Sequence, residues 1–175
     1  DIKIKSMNKI DGLVNHHSAW TKRTQFRAIN TLHRTNFGLK SSLGYYGGYN
    51  FLIEKDGRIK QYRALGEELT AHYGFNNTKL AICCAGDFSI EEMTDKQKES
   101  LLNLYEMILS IKVIPLNLRH SDLKYTDNSG KVRNQTTCPA IPQQVYSDIL
   151  KQANISLLKK IVLKLKEKLI ALQKK

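Results

Sequence analysis

Apolar residues in this chain fall into short, punctuated blocks at first and into longer helical spacings further on. Residues 12–16 form a compact run that reads as a buried strand. Between residues 20 and 37, Phe26, Ile29, Leu32 and His33 recur every three or four positions, which predicts a helix. Residues 38–48 are rich in Gly, Ser and Tyr and carry neither period, so they predict a loop able to line a site. Residues 49–54 and 58–63 are strand-like runs around Lys55-Asp56-Gly57, and Asp-Gly supplies the positive backbone dihedrals that a tight hairpin turn needs. The apolar run 79–85, closed by Gly86-Asp87, suits a central strand covered on both faces.

Thr94 and Gln97 form a capping-box pair ahead of Leu101, Leu104, Tyr105, Ile108 and Leu109 on one face, which predicts a helix over 94–111. A short strand is expected at 116–120 and a helix opening at Pro142 and running through 151. Strands alternating with helices predict an α/β fold, a central mixed β-sheet flanked by helices, in a single domain over residues 1–150. Residues 151–175 read as a separate basic amphipathic C-terminal helix. There Ile155, Leu158, Val162, Leu165, Leu169 and Leu172 alternate spacings of three and four, a heptad seam flanked by Lys. Such a helix can dock on its own domain, associate with a second copy, or lie on an anionic envelope or membrane surface through residues 154–175.

Composition narrows these readings. A length of 175 residues, with 25% charged and 41% hydrophobic residues, fits one soluble domain plus an appendage. No run of about eighteen uncharged apolar residues occurs, and the first ten residues alternate Lys with Ile rather than forming an apolar leader. A spanning helix and a signal peptide are therefore not expected. Of the net charge of +12, +7 lies in residues 151–175, with eight Lys against one Glu. That basicity draws the chain towards polyanions. With no aromatics interleaved among those lysines to stack bases, nucleic acid is not expected as a partner. Cys83, Cys84 and Cys138 are odd in number, and the first two point to opposite faces of a strand, so a disulfide framework is a poor reading.

Five histidines remain to be weighed: His16, His17, His33, His72 and His120. A metal site left open for chemistry needs ligands on rigid elements that face a cleft. His16-His17-Ser18 and His120-Ser121-Asp122 both close predicted strands beside polar loop residues. Cys138 lies in the polar stretch Asn134-Gln135-Thr136-Thr137-Cys138-Pro139 and is the natural third ligand. Two imidazoles and one thiolate, with a fourth position for water, are the donor types of a catalytic zinc site.

Six blocks in fixed order extend this reading. They are His16-His17-Ser18, a helix, Gly48-Tyr49-Asn50-Phe51 running into the Lys55-Asp56-Gly57 hairpin, Ala71-His72-Tyr73, the strand 79–85 closed by Gly86-Asp87, and His120 followed by Cys138-Pro139. Together, over about residues 10–150, they resemble the type-2 N-acetylmuramoyl-L-alanine amidases, which include small phage amidase lysozymes and animal peptidoglycan recognition proteins. The resemblance implies Zn2+ held by His16, His120 and Cys138, with His17 a packed or hydrogen-bonded neighbour. It also implies hydrolysis of the amide between N-acetylmuramic acid and the first L-alanine of the peptidoglycan stem. Tyr49 matches the tyrosine beside the metal and is expected to donate to the oxyanion, with Tyr45 and Tyr46 as rivals. His72 matches a position near the substrate groove, and Tyr46 is a second candidate for binding substrate.

This chain departs from the family in three places. Thr136 stands where the phage enzymes carry Lys, leaving one neutral donor in place of a cation. Cys83 stands where some amidases have a carboxylate, so their general base is absent there. Seventeen residues separate His120 from Cys138, more than in close relatives, which predicts an inserted loop at 123–133, an exposed arm that touches glycan or peptide. Some members bind peptidoglycan without cutting it; the filled ligand positions favour an enzyme over such a module. The setting expected is a phage or prophage endolysin, made in the host cytoplasm and acting at the cell wall.

Overall fold

The computed structural model describes residues 2–22, 24–127 and 129–173. Among the described residues the strands and α-helices follow in the order β1 (Gly12–His17), α1 (Phe26–Phe37), β2 (Phe51–Ile53), β3 (Ile59–Gln61), β4 (Lys79–Cys84), α2 (Asp95–Ile111), β5 (Leu116–Arg119), β6 (Lys124–Thr126), β7 (Val132–Asn134) and α3 (Gln143–Gln173). A five-stranded sheet has the order β3-β2-β4-β1-β5. Its strands run parallel except β3, which pairs antiparallel with β2 through the Asp-Gly turn. The fold is thus the single α/β domain expected, with a mixed sheet between helices.

Strand alternation gives the two faces different jobs. Leu13, Phe51, Ile53, Leu80, Ile82 and Cys84 point to the side covered by α2 and α3, where Leu101, Leu104, Ile108, Tyr146 and Ile149 complete the main core. The opposite face carries a smaller cluster of Leu52, Cys83, Ala85, Tyr62 and Ile29 of α1, with Trp20, Phe26 and Tyr49 at its margin. The first face buries most of the apolar area that stabilises the fold. The second is left thin enough to hold polar groups.

Local chemistry sets the helix starts. Thr94 accepts the Gln97 N–H at 3.1 Å while the Gln97 side chain accepts the Thr94 N–H, the capping box expected for α2. α1 begins at Phe26, not near residue 20. The buried Glu54 carboxylate accepts the N–H groups of Gln25 and Phe26 at 2.9–3.0 Å, so a side chain distant in sequence caps this helix. The Gln25 amide in turn donates to Trp20 O and Lys22 O and folds the preceding residues into a turn. No local pattern announces that cap.

Two other expectations change in detail. His120 leaves β5 and opens a turn of 3-10 helix, His120–Asp122. The segment expected as an inserted loop is a hairpin, with Lys124 opposite Asn134 and Thr126 opposite Val132; Asn128 of that arm lies outside the described residues. The last helix runs unbroken from the core into the basic tail. Ala153 is fully buried, Lys160 pairs with Glu106 of α2, and residues 161–172 are exposed. Lys174 and Lys175 lie outside the described residues. Among these, no helix is long and apolar enough to cross a membrane.

Candidate metal centre

Open α/β sheets gather ligands beyond the carboxyl ends of their parallel strands, and the polar residues singled out above meet at that edge. His16, on β1, is 1% exposed and lies beside Cys83 of β4, on the face with the smaller core. His120 follows β5 directly. Its turn is held by Asp122, whose carboxylate accepts the Arg119 N–H at 2.8 Å and the guanidinium at 2.7 Å. The carbonyl of Cys138 accepts the Ser121 N–H at 2.7 Å, which ties the cysteine loop to the turn carrying His120.

The outcome is convergence. One ring nitrogen from each of His16 and His120 and the sulfur of Cys138 lie within 4.8 Å of one another, so the three can hold a metal ion. The two imidazole rings are 4.5 Å apart, centre to centre. The donors fit a zinc ion by type, and three protein ligands leave a position for water in a four-coordinate site. The backbone N–H of His17 points at the Cys138 sulfur, 3.3 Å away, and such a donor favours a thiolate.

Burial sets the protonation states. It lowers the pKa of His16 well below the usual 6.5, with His120 and His72 adding to the effect, and it lowers that of His120 too. Both rings are therefore neutral near pH 7, the form a metal needs. The Cys138 thiol is pushed up to about 12 by burial, so it keeps its proton until a cation displaces it.

The other expected site residues are placed as follows. His17 points to the opposite face, where its Nδ1 accepts the Phe88 N–H at 3.1 Å. His72 is buried with its Nδ1 3.3 Å from His16 Nε2 and its ring stacked on that of His16; its own Nε2 is buried without a hydrogen-bond partner among the described residues. Burial, followed by His120 and Lys79, lowers its pKa to about 3. Tyr49 lies with its ring 5.1 Å from that of His16 and its hydroxyl on the Cys83 side chain. Burial raises its pKa well above 10, so it remains a donor. The Thr136 hydroxyl accepts the Cys138 N–H at 3.1 Å. Tyr46 sits under the Arg34 guanidinium of α1, 5.5 Å away, and Tyr45 packs edge-on against Phe26. The loop thus brings Tyr49 to the metal ligands and directs the other two tyrosines to α1.

Two residues around the site escaped sequence reasoning. Arg63 is 1% exposed and donates to the carbonyls of Gly47, Glu68 and Leu39, which pins the loop leading into Tyr49. Gln135, the residue after β7, reaches the His120 ring, with its Oε1 3.1 Å from Nε2. Neither belongs to a local motif; each acts across the fold.

Comparison with known proteins agrees with this geometry. The profile of the N-acetylmuramoyl-L-alanine amidase family matches residues 6–141. Among solved structures, the amidase LysC from Clostridium intestinale URNW is 26% identical, with a TM-score of 0.64 over 81% of this chain and 85% of that one. The Ph2119 endolysin from Thermus scotoductus MAT2119 bacteriophage Ph2119 is 20% identical, with a TM-score of 0.64 over 85% and 89%. Drosophila PGRP-LB is 18% identical, with a TM-score of 0.62 over 80% and 79%. No curated protein matches the chain significantly. The fold and the ligand cluster together support a hydrolase role, and the profile match across most of the sequence places this chain in the N-acetylmuramoyl-L-alanine amidase family.

Proposed function

We propose that the chain is a zinc-dependent N-acetylmuramoyl-L-alanine amidase that cleaves the bond between N-acetylmuramic acid and L-alanine in peptidoglycan, and that it serves as a phage or prophage endolysin. The observation that carries this reading is the convergence of His16, His120 and Cys138 within 4.8 Å. When bound, zinc supplies Lewis acidity towards a carbonyl oxygen and makes water a stronger acid. Around it, the chain's own groups divide the remaining work. Tyr49, neutral and beside His16, donates to the oxygen that gains charge as the amide is attacked. Thr136 offers one further neutral hydroxyl next to the cysteine. A groove of about 520 Å³ bordered by Phe37, Thr70, His72, Tyr73, His120 and Tyr125 gives a stem peptide or glycan room to lie against the ligands.

Purified sacculi digested with and without a chelator, followed by mass spectrometry of the products, test this reading. Muramic acid freed from its L-alanine only in the absence of chelator is the expected product. Cleavage at another bond would contradict the assignment. Binding to sacculi with no release of peptide would instead support a recognition module of the same fold.

The exposed end of α3 suggests an envelope contact. Leu158, Val162, Leu165 and Leu169 are each about half exposed or more, and the lysines beside them have one acidic residue, Glu167, among them. An apolar stripe between cationic flanks complements an anionic lipid surface. A second copy would bring like charges together. Removing residues 161–175 should abolish binding to anionic vesicles and leave sacculus digestion intact. If truncation instead turned a dimer into a monomer with vesicle binding unchanged, self-association would replace this reading.

A further inference from the structure

The β6–β7 hairpin lies in the segment expected as an insertion between His120 and Cys138, and the residue that follows β7 touches one of the three candidate metal ligands. Gln135 follows β7, and its N–H donates to Leu123 O at 3.2 Å, which closes the base of the hairpin. Its side-chain amide forms a two-point pair with the backbone of Tyr73. The Tyr73 N–H donates to Oε1 at 3.2 Å, and Nε2 donates to Tyr73 O at 2.7 Å. This pair fixes the orientation of the amide, because a flipped amide would set its NH2 against the Tyr73 N–H and its oxygen against the Tyr73 carbonyl. Oε1 is therefore the atom that faces His120 Nε2 at 3.1 Å, and as an oxygen it can only accept.

A neutral imidazole has one N–H and one lone pair, and a hydrogen bond at one nitrogen decides which is which. With Nε2 committed as donor, His120 presents its Nδ1 lone pair. We infer that Gln135, held at the base of the β6–β7 hairpin, is a positioning residue that fixes the His120 tautomer and aims its Nδ1 at the metal. The inference rests on the metal-centre reading above and adds a role for the hairpin: the residue at its base is a built part of the surroundings of His120. The same short segment serves both imidazoles, since His72 stands against His16 Nε2 while Tyr73 orients the amide on His120. The Tyr73 and Tyr125 rings meet edge-on, 6.4 Å apart, and give the hairpin a second hold on that segment.

The test uses the whole chain. Nitrogen-15 NMR of histidine-labelled protein, with and without zinc, reads the His120 tautomer directly. The proton is expected on Nε2 in the wild type, and a proton on Nδ1 would overturn the proposal without recourse to any variant. Gln135→Met keeps length and volume but cannot accept; partners of ligating histidines are worth about 10–100-fold in metal affinity, so zinc measured against a competing chelator should bind weaker by that factor. Gln135→Glu keeps an acceptor towards His120 and should recover most of that loss. Met and Glu variants that bind zinc equally well would also overturn the proposal. Failure of the wild type to bind zinc would count against the metal centre alone, because the tautomer in the metal-free sample still decides the role of Gln135.

Discussion

Among individual residues, the clearest separation of roles is between His16 and His17. Adjacent strand residues face opposite sides. His16 therefore enters the ligand cluster, and His17 turns to the Phe88 backbone while its own N–H reaches the Cys138 sulfur. Each ligand should be indispensable. Cys138→Ala should lower zinc from about one ion per chain to background, because two neutral imidazoles alone make a weak site; metal analysis of the purified variant checks this, and retention of a full equivalent would exclude the sulfur as ligand. Tyr49 is a different case. It lies beside His16 without belonging to the ligand trio, so Tyr49→Phe should leave zinc content unchanged while kcat falls by about 10²–10³, the cost typical of a lost oxyanion donor. An unchanged kcat would make Tyr49 a packing residue.

At the level of elements, strands and helices with strong periods were legible in the sequence, and those fixed by distant partners were not. The capping box of α2, the Asp-Gly hairpin and the buried run of β4 follow from local pattern, and each stands where that pattern puts it. The start of α1 depends on Glu54, twenty-eight residues from Phe26, and no periodicity reports a contact of that kind. The segment between His120 and Cys138 reads as a loop and folds as a hairpin, because strand pairing in so polar a stretch leaves little mark on the residue pattern. α1 also carries a pH-sensitive joint. His33 Nδ1 accepts the Gly48 N–H at 2.8 Å, and burial, helped by Arg63, lowers its pKa to about 4 from 6.5. Between those values the unfolded chain takes up the proton and the folded one resists it. Stability therefore falls as pH drops from 6.5 towards 4, on the order of 2 kcal/mol from this group. His33→Gln, which keeps an acceptor and removes the proton site, should flatten that part of the stability curve. Urea midpoints at pH 7 and pH 4.5 measure the difference, and parallel curves for the two proteins would rule out His33 as the source.

Viewed as a whole, the molecule divides its labour between the two sides of one sheet. The side under α2 and α3 holds most of the apolar core. The other side keeps a smaller cluster under α1, and at the strand ends beside it stand His16, His120 and Cys138. Basic charge is set apart on the far end of α3, whose exposed residues lie beyond the ion pair of Lys160 with Glu106. The three residues that could hold a metal were readable as candidates from strand ends and residue types, and the family resemblance chose His16 over His17. What composition could not supply was the surrounding shell of Gln135 and Arg63, because those contacts join segments far apart in the chain. Zinc K-edge X-ray absorption of the purified chain identifies the atoms bound to the metal. One sulfur at about 2.3 Å is expected together with nitrogen and oxygen neighbours at about 2.0–2.1 Å, four ligands in all. A bound zinc with no sulfur neighbour, or one whose spectrum is unchanged in Cys138→Ala, would contradict it.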